Sequence, residues 1–175
     1  LRVVDNHVSE PPPGSPPPGL GTRGLVPGGV SLGGGIAIAA GGASSIELRQ
    51  LELTINSVTG ASNAEGGGAW ISVVGTGTVV AEDLEVVGNV VSDGTGHGAA
   101  GLSLTVIGPS LGLRRMHARA NGFGGADVSV QQARIDIGNG TAAEVTDVAV
   151  VGGHRSGLAM SATGGSCSLR AGNLT

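Results

Sequence analysis

Apolar and polar positions alternate along this chain in short runs, and the runs return at a fixed interval. Leu51 and Leu53, Leu84 and Val86, Met116 and Ala118, and Val148 and Val150 each flank a single residue that is free to face out. Some residues upstream, Ile46 and Leu48, Val79 and Ala81, Leu111 and Leu113, and Ala143 and Val145 do the same. That spacing is the period-two mark of a strand with one buried face. No segment sustains three-and-four spacing, and Gly and β-branched residues stand where helix formers belong. The chain is therefore predicted to be all-β.

The interval between runs carries the architecture. "LRVVDNHVSE" at 1–10, "LELTINSVTG" at 51–60 and "LEVVGNVVSD" at 84–93 align on an asparagine, which places Asn6, Asn56, Asn89 and Asn121 in phase, with Gly153 in the fifth copy. The steps are 50, 33, 32 and 32 residues, and the long first step contains the Pro/Gly-rich stretch 10–29. A fixed period of this size signals stacked repeats. Downstream of the asparagines come glycine-led alternating runs, "GGGIAIAA" from 33, "GGGAWISV" from 66, "GLSLTV" from 101, "GGADVSV" from 124 and "GLAMSA" from 157. Matching phrases about 32 residues apart call for a parallel coil in which each strand pairs with its counterpart one turn later, ~4.8 Å away. Parallel crossovers are overwhelmingly right-handed. The expectation is a right-handed parallel β-helix of five to six coils, one unit over residues 1–175, with 10–29 inserted as a stiff polyproline loop. The asparagines are expected to form a column joined by side-chain amides, at a bend whose left-handed backbone asparagine tolerates.

Composition narrows the class. Glycine and proline number 35 and 8, yet 39% of residues are hydrophobic and the net charge is only -4. Disorder expects low hydrophobicity and high charge, so this chain can bury a core. Trp70 and Phe123 are the only aromatics, and aliphatic side chains must fill the interior. A weakly acidic chain does not supply a nucleic-acid groove. Cys167 is the single cysteine, so no internal disulfide framework exists, and no apolar stretch approaches the ~20 residues needed to span a bilayer. The chain opens within one copy of the phrase and closes within another, and is read as a piece of a longer array.

The Gly-Gly-Gly-Ile start at 33, the strand-then-asparagine phrase and the period resemble repeat proteins of the right-handed parallel β-helix class, whose superfold is the pectin-lyase-like one. Within it, "LRVVDNHVSE" and "LEVVGNVVSD" resemble phrases of the trypanosomatid dispersed gene family of large surface proteins. Less closely, they resemble bacterial autotransporter passengers and polymorphic outer-membrane proteins. The resemblance implies a large cell-surface or secreted, membrane-associated protein of adhesin type, without a cofactor.

Stacking turns sequence positions into surface columns, and one column offers a candidate site. Glu52, Glu85 and His117 fall in register, with Arg2 before them. Two carboxylates one coil apart with an imidazole beyond them can raise a carboxyl pKa or hold a cation. A solvated, charge-paired face is the competing account. Neighbouring columns, Arg49-Glu82-Arg114 and Gln50-Asp83-Arg115-Asp147, alternate in sign and penalise a register slip. "GHG" at 96–98 matches one element of the polygalacturonase pattern, but no Asp-Asp pair or Asn-Thr-Asp accompanies His97, so acid and base for glycoside hydrolysis are missing. Asp127 and Asp136 are too isolated to form a lyase-type calcium cluster. His7 and His154 lack ligands at zinc spacing. The chain is expected to be non-catalytic, with neither metal nor cofactor. Sequons at Asn139 and Asn173 permit a glycosylated exterior. The functional expectation is a structural, adhesive display scaffold facing a host or neighbouring-cell protein or glycan. The alternative is part of a carbohydrate-active enzyme, a polysaccharide lyase or glycoside hydrolase, in which case Glu52, Glu85, His117 and His97 should converge on a groove.

Overall fold

A computed structural model of the chain describes residues 2–4, 6–9, 25–26, 30–59, 63–92, 99–123, 131–151 and 157–175. It is a parallel β-solenoid with a period near 32 residues. The strand Ile36–Thr54 lies beside Ala69–Val87 in continuous parallel register, from Ile36 opposite Ala69 to Thr54 opposite Val87. In the next coil the same path is split at Gly108 and Pro109 into Ala99–Ile107 and Ser110–Arg119. Above these lie Gln131–Gly138 and Ala142–Val151, and then Leu158–Ala162 and Ser168–Leu174. A shorter side stacks His7–Ser9, Ser57–Thr59, Val90–Ser92 and Gly122–Phe123. A third carries Val30–Leu32 against Asn63–Glu65. Leu51, Leu84, Met116 and Val148 are consecutive register partners, so residues one period apart do sit over one another.

The solenoid makes about three turns, not five to six. The expected number follows from the long side alone, which gathers a strand from every copy of the phrase. Among the described residues the short side shows four layers, and four layers enclose three turns. The alternating run expected at 124–130 is also displaced. Its place in register belongs to Gln131–Gly138, where Ala133 sits opposite Leu102, and 124–130 lie outside the described residues. So does most of the inserted stretch 10–29, apart from Leu25–Val26, whose backbone pairs antiparallel with Val30–Ser31.

The tube is filled by aliphatic columns. Leu53, Val86, Leu113, Met116, Val145 and Val148 are all buried. Inward positions along the long side run 46, 48, 51, 53, with a step of three where strict alternation needs two. Gln50, Asp83, Arg115 and Asp147 supply the extra residue, each with φ between 51° and 56°. One left-handed residue per coil resets the parity, so both halves of the strand face the same core. A second left-handed column, Ile55, Gly88 and Ala120, turns the chain immediately before each asparagine. The bend therefore uses the preceding residue, and Asn56, Asn89 and Asn121 are free of that conformation. Their side chains are needed inside.

Candidate functional site

Two repeating sets of polar groups are candidates for chemistry, one inside the tube and one outside. The inner set is the asparagine column. Asn6 Nδ2 donates to Asn56 Oδ1 at 3.0 Å, Asn56 Nδ2 to Asn89 Oδ1 at 3.0 Å, and Asn89 Nδ2 to Asn121 Oδ1 at 2.9 Å. Each Oδ1 also accepts the backbone N–H of the asparagine one coil earlier. The second amide hydrogen goes to a strand carbonyl of the earlier coil, that of Val3, Leu53 or Val86. Asn56 and Asn89 are fully buried, so this complete pairing is what permits amides in an aliphatic tube. Room for them comes from Gly35, Gly68 and Gly101. A Cβ at Gly68 would lie 3.0 Å from the Asn89 amide and 2.7 Å from the Gly101 carbonyl oxygen.

Among the described residues the column runs on from Asn121 to one that sequence reasoning missed. Gln132 Oε1 accepts the Asn121 backbone N–H at 3.1 Å and Asn121 Nδ2 at 3.2 Å, and Gln132 Nε2 donates to the Val151 carbonyl at 2.8 Å. Gln132 is 1% exposed and occupies the strand position held by glycine in earlier coils, directly before Ala133. Its signal in the sequence is a paired exchange. Where the phrase has Gly153 for asparagine, the preceding run has glutamine for glycine. Gly153 itself lies outside the described residues.

The outer set contains Glu52, Glu85 and His117, which do come into register: Glu52 pairs with Glu85 and Glu85 with His117. An open groove of ≈ 490 Å³ passes along Asp83, Glu85, Arg115, His117 and Asp147. Both carboxylates have cationic partners. Glu52 accepts from Arg2 Nε at 2.9 Å, and Glu85 lies 3.6 Å from Arg119. Next to them Glu82 meets Arg49 and Arg115, and Arg114 donates to Glu144 at 2.8 Å. Arg115 grips Asp83 through two bonds, of 2.6 and 3.2 Å. These bonds hold the Asp83 carboxyl below its ordinary value, and the positive charges of Arg115 and Arg49 add to the effect. They raise Arg115 in return, as Glu47 raises Arg49. The arrangement is a lattice of opposite charges laid across coils.

His97, His154 and Asp127 lie outside the described residues, as does the side chain of His7. Asp136 is bound by Arg134 and Ser161 on a different face. Asn139 is exposed and accepts the Gly165 N–H, and Asn173 donates to Asp147. Among the described residues no three His, Cys, Asp or Glu side chains gather as metal ligands, and no helix is long and apolar enough to cross a membrane. No family model, no curated protein and no solved structure matches the chain.

Proposed function

We propose that this chain is a non-catalytic, right-handed β-helical segment of a large cell-surface or secreted protein, and that it holds long rigid faces in place for adhesion. The observation that supports this most is the use made of its polar side chains. Inside, the asparagines bond one coil to the next, and outside, the acidic and basic groups of the candidate column pair across coils. Groups committed to each other are suited to stiffness and poorly suited to proton transfer. The phrases that resemble those of the dispersed gene family and of autotransporter passengers favour the same role, with a surface protein or glycan as the partner. Beads coated with the recombinant chain should adhere to epithelial-cell monolayers more than bare beads do, and Glu52→Gln and Glu85→Gln should leave that adhesion intact. Release of unsaturated or reducing ends from polygalacturonate, lost in the same two variants, would instead establish a carbohydrate-active enzyme.

A further inference from the structure

The outer face opposite the candidate column in chain path, formed by residues 36–41 and their stacked counterparts, is poor in charge. Backbone register sets Trp70, Ser103 and Arg134 in one outward column, and Thr105, Asp136 and Ser161 in the next. Trp70 is the only tryptophan of the chain and is half-buried. Ser103 lies between Trp70 and Arg134 and is 3% exposed, and its hydroxyl donates to the Glu65 carboxylate at 3.3 Å. Arg134 Nε donates to Asp136 Oδ2 at 2.6 Å, and the Ser161 hydroxyl donates to Asp136 Oδ1. Trp70 and the Arg134–Asp136 ion pair thus share one face of the sheet, two strand spacings or ~10 Å apart along the axis. Beyond them, Ala37 and Ala159 cap the Trp70 column with nothing taller than a methyl group.

We propose that this face binds a neutral oligosaccharide, one ring resting on Trp70 and a second, further along the same chain, held by Arg134 and Asp136. An aromatic face offers broad, rigid contact to the C–H face of a sugar, with little conformational entropy to lose. The guanidinium fork and the carboxylate set donors and acceptors side by side, which suits adjacent hydroxyls. Because Asp136 already neutralises Arg134, an anionic chain gains little here. This inference rests on the display reading and names its ligand class.

The absence of tyrosine and of a second tryptophan makes the test direct, since emission from the whole protein reports on Trp70 alone. The intact chain is titrated with hexasaccharides of glucose, mannose, xylose, galactose and N-acetylglucosamine, and with hexagalacturonate as the anionic control. At least one neutral sugar should shift or quench the emission saturably. Arg134→Ala and Asp136→Asn should each weaken that binding about tenfold, the loss of one charge-assisted contact, while circular dichroism melts stay those of the parent. Silence across the panel, equal binding by both variants, or preference for hexagalacturonate overturns the proposal. The two readings fail separately. Bead adhesion with silent Trp70 emission leaves display standing and removes this site, whereas sugar binding without adhesion does the reverse.

Discussion

The asparagine column and the charged outer face are the same device in two environments: a polar side chain repeated once per coil and joined to its copy above. Inside the tube each amide has traded water for fixed partners, and any group left over is stranded. Outside, every ion pair competes with solvent and salt, and such pairs contribute ~0–1 kcal/mol. The difference teaches where register is enforced. The lattice discourages slippage by small increments, while the column forbids it, because a displaced coil would bury unpaired amides in hydrocarbon.

Substituting within the column should have the largest effect. Asn89→Leu removes the acceptor of the Asn56 N–H and of Asn56 Nδ2 and the donor to the Leu53 carbonyl. Three groups stripped of a partner at ~1–3 kcal/mol each predict a loss of about 3 kcal/mol or more, read as a lower urea midpoint. Gln132→Ala strips the acceptor from Asn121 at the end of the column and should cost about 2 kcal/mol on the same reasoning. If both variants unfold like the parent, the column is ornamental and the comparison collapses.

Smaller effects sharpen it. Ile55 is β-branched, 58% exposed and held at φ 57°, where its counterparts are Gly88 and Ala120. Ile55→Gly relieves left-handed strain of ~1–2 kcal/mol against a glycine entropy cost of ~0.5–1, so the melting temperature should rise modestly. On the outer face, Glu82→Gln should change stability by no more than about 0.5 kcal/mol, and 1 M salt should reduce even that. Asp83 gives the pH signature. Its folded pKa lies below the ordinary 3.8, so its pairing stabilises the protein above that value and is lost as pH falls through the folded pKa. The melting difference between the parent and Asp83→Asn should therefore shrink steadily in acid below pH 3.8.

Sequence alone made the period, the aliphatic columns and the asparagine phase visible, because each repeats the same residue type at the same step. It did not reveal the parity-resetting bulge. Glutamine, aspartate, arginine and aspartate occupy Gln50, Asp83, Arg115 and Asp147, and that mixture carries no left-handed signature even though the backbone demands one. The fourth coil was misplaced for a related reason. "GGADVSV" has the right alternation, and only pairing with Leu102 and Leu104 shows that Ala133 and Ile135 hold the register. Glu52, Glu85 and His117 fall in one column by phase, but the pairing of Glu52 with Arg2 and of Glu85 with Arg119 depends on side-chain reach, which no one-dimensional pattern encodes. Trp70 and Arg134 lie 64 residues apart and come together only once two coils are stacked.

Asn56 and Asn89 make interchangeable contacts 33 residues apart, each passing one amide hydrogen to the asparagine of the following coil and the other to a carbonyl of the preceding one. The stretch between two such asparagines is thus a self-contained cassette with matching joints at its two ends. Duplicating it in the gene would add one storey, ~4.8 Å of height, without creating a junction the fold has not already solved, so rods of this kind can change length by whole units while their cross-section stays the same.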